Sequence, residues 1–209
     1  MIVQKYGGSS VATPEMIRAI AEKIKMRVEE GEKLIVVVSA MGKTTNNLID
    51  LANQVSSDPL PRELDMLLAT GEQTSAALLS MSLNDLGVQA VSYNAFQLGM
   101  ITTGTFCNAR IVDIDMKKVE RELNQRDVIV VTGFQGITPE GEITTLGRGG
   151  SDTSAVAIAA KAGARCEIYS DVAGIYTCDP KICSNAQKLD YVTYNEVLEL
   201  SSMGAKVLH

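Results

Sequence analysis

The chain has 209 residues, 45% of them hydrophobic, with no tryptophan, 4% aromatics and a formal net charge of -6 from 19 Lys+Arg against 25 Asp+Glu. That length buries a substantial core as one large domain or two small ones. The acidic balance and scarcity of stacking rings argue against nucleic acid as a partner. No apolar run approaches the roughly 20 residues of a membrane span, and Met1 to Tyr6 lacks the form of a signal peptide, so a soluble cytoplasmic protein is expected.

Taken in chain order, Ile2–Tyr6 reads as a short strand ending in Gly7-Gly8-Ser9-Ser10. Thr13-Pro14-Glu15 then supplies an N-cap with proline at the first helical position. Ile17, Ile20, Ile24 and Val28 recur on one helical face, and Gly31 closes the pattern. Leu34–Val38 is a continuous β-branched run, the mark of a strand buried on both faces of a parallel sheet. A helix through Leu48, Ile49 and Leu51 and a break at Asp58-Pro59-Leu60-Pro61 follow. More helix is expected over 62–86, interrupted near Gly71.

Residues 89–93 read as a strand, Val119 and Leu123 as part of a short amphipathic helix, and 127–132 as a second buried strand. Pro139-Glu140-Gly141-Glu142 is a hairpin turn, and Ser151 or Asp152 can cap the helix that follows the glycine-rich segment. A strand over 166–170, a turn at Asp179-Pro180 and a helix near 194–200 complete the pattern. Strands alternating with helices imply an α/β fold, a mainly parallel sheet sandwiched between helices, with no linker or internal repeat dividing it.

Two absences narrow the chemistry. The single histidine is His209, the last residue, which argues against a Ser-His-Asp triad, a histidine base or a multi-histidine metal site. Cys107, Cys166, Cys178 and Cys183 contain no C-x-x-C pair, so neither a zinc ribbon nor a redox dithiol is expected, and free thiols are.

Glycine-containing, hydroxyl-bearing loops follow four strands, where ligands of open α/β sheets bind. Thr144-Thr145-Leu146-Gly147-Arg148-Gly149-Gly150-Ser151-Asp152 is the most distinctive segment. Its glycines admit a ligand close to the backbone, its helix N-terminus favours an anion, and the Arg148 fork suits a carboxylate or phosphate. A left-handed turn bearing a solvated arginine is the plain alternative. Standard nucleotide motifs fail. Val37 stands where a P-loop ending in Gly42-Lys43-Thr44 needs its first glycine, and Asp152 stands where G-x-G-x-x-G from Gly147 needs its last.

Read in order, Lys5-Tyr6-Gly7-Gly8-Ser9-Ser10-Val11, Val38-Ser39-Ala40-Met41, Gly71-Glu72, Gly133-Phe134-Gln135-Gly136, Thr145 through Asp152, Ser170-Asp171-Val172, Gly174-Ile175-Tyr176-Thr177 and Asp179-Pro180-Lys181 resemble the amino acid kinase family. The likeness is greatest to the branch that phosphorylates L-aspartate, and it covers essentially the whole chain. It implies transfer of the ATP γ-phosphoryl group, with Mg²⁺, to the side-chain carboxylate of L-aspartate. The product is 4-phospho-L-aspartate, made in the first step toward lysine, threonine, methionine and diaminopimelate. Such a reaction needs no histidine, because a carboxylate of pKa about 3.9 is already an ionised nucleophile at neutral pH.

The same resemblance assigns roles. Lys5 would stabilise the transferring phosphoryl group and Asp152 would organise Lys5. Gly7, Gly8 and Ser39 would donate hydrogen bonds to phosphate oxygens, with Tyr6 beside them. Arg148 would hold the substrate α-carboxylate and Glu72 its α-ammonium, in a pocket shaped by Thr45, Phe134, Gly149, Gly150 and Ser151. Ser170, Asp171 and Tyr176 would line the adenosine site, and Asp179, Lys181, Lys206 and Val207 would complete it, the two lysines facing the phosphates. No side chain is assigned as a metal ligand. Structural alternatives stand beside these: a solvated strand-end Lys5, a dipole-stabilised Glu72, an N-cap Asp152 and a core Tyr176.

Departures qualify the likeness. Lys181 stands where the family commonly has arginine, keeping charge and losing the fork, and Ala173 replaces a frequent aspartate. The family's catalytic domain normally continues beyond the point matching His209 into ACT regulatory domains, so residues 1–209 are expected to be a catalytic domain lacking its C-terminal end. Homo-oligomeric assembly is expected with it. The rival readings are a family member acting on acetylglutamate, glutamate or UMP, and a non-catalytic nucleotide or amino-acid sensor.

Overall fold

In the computed structural model, which describes residues 1–172, 174–179 and 182–202, a parallel sheet carries the chain's buried β-branched runs. Its strands are β1 (Ile2–Tyr6), β2 (Leu34–Val38), β3 (Ala90–Tyr93), β6 (Val128–Thr132) and β9 (Arg165–Tyr169), in the order β3-β6-β2-β1-β9. Every pairing is parallel, with Ile2 opposite Leu34 and Arg165, and Leu34 opposite Val128.

Alternation along each strand sends side chains to opposite faces. On one face Ile2, Tyr6, Val36, Val38, Val128 and Val130 pack with Ile17, Ile20 and Ile24 of α1 (Pro14–Glu29) and Leu79 and Leu83 of α3 (Pro61–Asp85). On the other, Val3, Ile35, Val37, Ile129 and Val131 meet Val119 and Leu123 of α5 (Met116–Leu123) and Ala155 and Ile158 of α6 (Gly150–Ala162). This three-layer α/β arrangement is the predicted fold class. Thr13 caps α1 as expected, its hydroxyl accepting from the Met16 N–H at 3.3 Å, and Gly31 follows the helix at φ +89°.

Three predictions need correction. α3 runs unbroken through Gly71, because the glycine serves packing and not termination: an added Cβ there would lie 2.9 Å from Ala40 Cβ. α6 is capped by Gly149 at φ +72°, not by Ser151 or Asp152, which fall in its first turn; Thr153 N–H already donates to Gly149 O at 3.1 Å. The third concerns a second, small sheet that the sequence pattern did not announce, in the order β5-β4-β7-β8. It joins β4 (Met100–Thr102), β5 (Ile111–Ile114), β7 (Gln135–Ile137) and β8 (Ile143–Thr145), with the short α4 (Ala95–Leu98) before it. The expected turn at 139–142 connects β7 to β8 as an antiparallel hairpin.

This small sheet is pinned to α3. Gln135 Nε2 donates to Ala69 O at 2.9 Å, and the Asp65 carboxylate, fully buried, accepts from Thr145 N–H at 2.9 Å and Thr145 Oγ1 at 2.6 Å. α2 (Thr44–Val55) rests on α3, with none of its own residues buried. α7 (Tyr194–Ser202) ends the described chain, and no helix among the described residues is long and apolar enough to cross a membrane.

Candidate active site

The glycine loops after β1 and β2 touch each other at the carboxyl end of the parallel sheet. Gly42 N–H donates to Gly8 O at 3.0 Å, and a Cβ on Gly8 would stand 2.8 Å from Ala40 O, so only glycine permits the approach. These loops, α2, α3 and the start of α6 enclose a cleft of about 670 Å³. Lys5, Gly8, Ser39, Thr45, Glu72, Phe134, Arg148, Gly149, Gly150, Ser151 and Asp152 all line it, which brings together eleven residues that the sequence nominated from five separate segments.

Lys5 enters from β1 and lies almost wholly buried, 8% exposed, with Nζ 2.7 Å from Asp152 Oδ1 in the first turn of α6. That oxygen takes no hydrogen bond in the described residues, so Lys5 is its partner by charge. Gly7 lies beside the ammonium, a Cβ there falling in ordinary contact with Lys5 Nζ at 3.4 Å. A cation thus stands at the cleft floor beside glycine backbone and a helix N-terminus, an environment suited to a phosphoryl group.

Glu72 faces the cleft from the middle of α3 and is 3% exposed. Its Oε1 accepts the Ala40 N–H at 3.0 Å, while Oε2 is buried with no partner among the described residues. Burial pushes the carboxyl up to about 7, against the smaller opposing effect of the backbone N–H groups of Ala40 and Glu72 itself. A half-satisfied carboxylate of this kind is suited to a cation that no described residue supplies.

Arg148 lies exposed at the cleft mouth between Gly147 (φ +75°) and Gly149 (φ +72°). Phe134 also holds a left-handed backbone, φ +70°, unusual for a bulky residue. Its conformation is over-determined: Phe134 N–H donates to Ser154 Oγ at 3.1 Å, its carbonyl accepts Leu146 N–H at 2.8 Å, and Ser154 Oγ donates to Gly150 O at 2.9 Å. The strain fixes the junction between β6, the Arg148 loop and α6.

Other nominated residues stand elsewhere. Tyr6 alternates with Lys5 on β1, so its ring lies on the α1 face, stacked on Tyr169 at 4.7 Å between centroids, with its hydroxyl donating to Gln4 Oε1. It does not line the cleft. Ser170 and Asp171 follow β9, next to Gly7, whose N–H donates to Tyr169 O at 3.2 Å. Tyr176 bridges to Lys188 and Asp179 is exposed on the same arm, and none of these four lines the cleft. Lys181, Lys206 and Val207 lie outside the described residues.

Sequence reasoning missed several lining residues: Asn46, Ile49, Leu64, Leu68, Cys107 and Thr145. It also missed Asp65 behind them, which accepts the Cys107 N–H at 2.9 Å as well as Thr145 and so braces two walls at once. A lone acidic residue on an amphipathic helix carries no motif by which to find it.

Comparison with known proteins agrees with this geometry. The model of the amino acid kinase family matches residues 1–209. The chain is 51% identical over its full length to an aspartokinase of Bacillus sp. strain MGA3 and 53% identical to one of Mycobacterium bovis, covering 51% and 50% of those proteins. It therefore spans about half the length of the curated relatives it matches. Among solved structures, aspartate kinase from Synechocystis superposes with a TM-score of 0.86 at 53% identity, over all of this chain and 35% of that one. E. coli aspartokinase III in complex with aspartate and ADP gives 0.88 at 27% identity, over all of this chain and 57% of that one. The chain belongs to the amino acid kinase family.

Proposed function

We propose that this chain is the catalytic domain of an aspartate kinase, transferring the γ-phosphoryl group of ATP to the side-chain carboxylate of L-aspartate. The observation that carries the reading is the buried Oε2 of Glu72, without a hydrogen-bond partner among the described residues, in the same cleft as Arg148 and the Lys5–Asp152 pair. A free amino acid answers both polar demands, its α-ammonium to Glu72 and its α-carboxylate to the Arg148 fork. Its side-chain carboxylate would then extend toward Lys5. The named relatives at 51–53% identity support the same assignment.

In the proposed reaction a carboxylate oxygen of the acceptor attacks the γ-phosphorus and ADP departs, leaving an acyl phosphate. Lys5, held by Asp152, neutralises charge on the transferring group, while Gly8 and Ser39 present the loop backbone to phosphate oxygens. Mg²⁺ bound with the nucleotide would supply further neutralisation of phosphate charge. Ser170, Asp171, Tyr176, Asp179, Lys181, Lys206 and Val207 remain proposed for the nucleotide. Homo-oligomeric assembly and a cytoplasmic location belong to the same proposal, on family likeness alone.

The test traps the acyl phosphate with hydroxylamine. The purified protein with ATP and Mg²⁺ should form hydroxamate from L-aspartate and not from N-acetylglutamate. Hydroxamate from N-acetylglutamate and none from L-aspartate overturns the assignment.

A further inference from the structure

Asp65 ties the Arg148 side of the cleft to α3. Its carboxylate is fully buried and accepts three neutral donors. Oδ2 takes the N–H groups of Thr145 and Cys107, both at 2.9 Å, and Oδ1 takes the Thr145 hydroxyl at 2.6 Å. An amide oxygen has lone pairs for only two of these, so a carboxylate is what allows all three.

Thr145 ends β8, the edge strand of the small sheet. Its N–H goes to Asp65, and its carbonyl accepts the Ala109 N–H at 2.8 Å. The segment carrying Arg148 begins at the next residue, and Gly147 and Gly149 within it both hold left-handed backbones. Glycines on either side let the loop turn in many ways, so where Arg148 stands depends on how the flanking chain is anchored. Cys107, itself left-handed at φ +60°, supports the loop from beneath: a Cβ on Gly147 would lie 3.3 Å from Cys107 O. Asp65 thus holds both the strand end that leads into the Arg148 loop and the residue against which that loop rests.

Glu72 sits seven residues further along the same unbroken helix, and both side chains are buried. Two turns of α-helix fix that interval at about 10 Å along the axis. We infer that Asp65 is a positioning residue for acceptor specificity: through Thr145 and Cys107 it sets the Arg148 fork at a fixed distance from Glu72, so that α3 gauges the spacing between the two charged α-groups of an amino acid. This role rests on the proposed assignment of Arg148 to the α-carboxylate and Glu72 to the α-ammonium. Asp65 does not line the cleft and acts only through the residues it holds. Simple bracing would change the amount of folded protein, whereas a shifted Arg148 changes how the acceptor alone is bound.

The experiment replaces Asp65 by asparagine and follows hydroxamate formation. The kcat/KM for L-aspartate should fall at least about tenfold while the KM for ATP stays within about twofold, in line with the sensitivity of bound geometry to shifts near 1 Å. A double-mutant cycle identifies the route: in an Arg148→Ala background, Asp65→Asn should have almost no further effect on kcat/KM for L-aspartate. Thr145→Val keeps the carboxylate, removes one donor and should act in the same direction more weakly; it carries the same cycle if the asparagine variant does not fold. Losses that add to those of Arg148→Ala, or equal rises in the KM of both substrates, would overturn the inference and leave the aspartate reading intact. A wild-type protein inactive on L-aspartate would overturn that reading and the inference with it.

Discussion

Lys5 Nζ and Asp152 Oδ1 stand 2.7 Å apart, tying the end of β1 to the first turn of α6 across the floor of the cleft. The two residues are 147 positions apart in sequence, and the pair forms only because β1 and α6 share the same face of the sheet. Asp152 orients the ammonium and balances its charge. In the proposed reaction a cation so placed would contribute to the transition state without reorganising.

Replacing Lys5 by methionine keeps the length and apolar stem and removes the charge. Turnover should fall by at least about a hundredfold, the scale of losing one preorganised electrostatic contact. Nucleotide binding followed by calorimetry should change only a few-fold. Turnover that survives unchanged removes Lys5 from the phosphoryl site.

Glu72 gives a prediction in pH. Its folded pKa of about 7 lies above the ordinary 4.5, so the native chain holds a proton that the unfolded chain has lost across that interval. Stability from this group is thus fully present below pH 4.5 and is lost as pH rises to about 7. Glu72→Gln should flatten that slope in thermal melts of the ligand-free protein. Under the proposed assignment L-aspartate binds the ionised form, so its KM should fall as pH rises through about 7, and the glutamine variant should abolish this dependence while raising that KM. An equal rise in the KM for ATP would take Glu72 out of the amino-acid pocket.

What was readable in the sequence follows from which interactions are local. The β-branched runs at 34–38 and 128–132, the Thr13-Pro14 start and the 139–142 turn are decided by nearest neighbours, and the structure keeps them. The glycine loops could be grouped because strand ends converge in a parallel sheet. The small sheet could not be foreseen, since three of its strands have three residues and the fourth has four, too few for a period to show. The Tyr6 ring faces away from the cleft because a strand alternates, which adjacency in a motif does not record. Asp65 depends wholly on partners distant in sequence, so no spacing rule reaches it.

Asp65→Ala strands three donors, the buried N–H and hydroxyl of Thr145 and the part-buried N–H of Cys107. The loss should reach about 3 kcal/mol or more by urea unfolding. Thr145→Val removes one donor and should cost clearly less. A cost for Asp65→Ala within about 0.5 kcal/mol of zero, the range of ordinary surface changes, would show that the carboxylate does not brace the cleft.

Gly133→Ala probes the seam between β6 and α6 without touching a charged group. The added methyl would lie 2.7 Å from Ser151 Cβ and Oγ and 2.9 Å from Ser151 Cα, closer than packed atoms approach. A rotamer change moves only Oγ, so relief requires the first turn of α6 to shift, carrying Asp152 away from Lys5 and altering the Arg148 loop. Overpacking of this kind should cost about 1–3 kcal/mol of stability. Displacing the ion pair should lower kcat at least tenfold, in line with the sensitivity of preorganised sites to shifts near 1 Å. Adding Ser151→Gly removes two of the three close atoms and should recover part of the stability, while Cα still holds the backbone apart. Wild-type turnover and melting temperature in Gly133→Ala would mean that the seam yields without moving Asp152, and that the Lys5–Asp152 geometry is set from the β1 side alone.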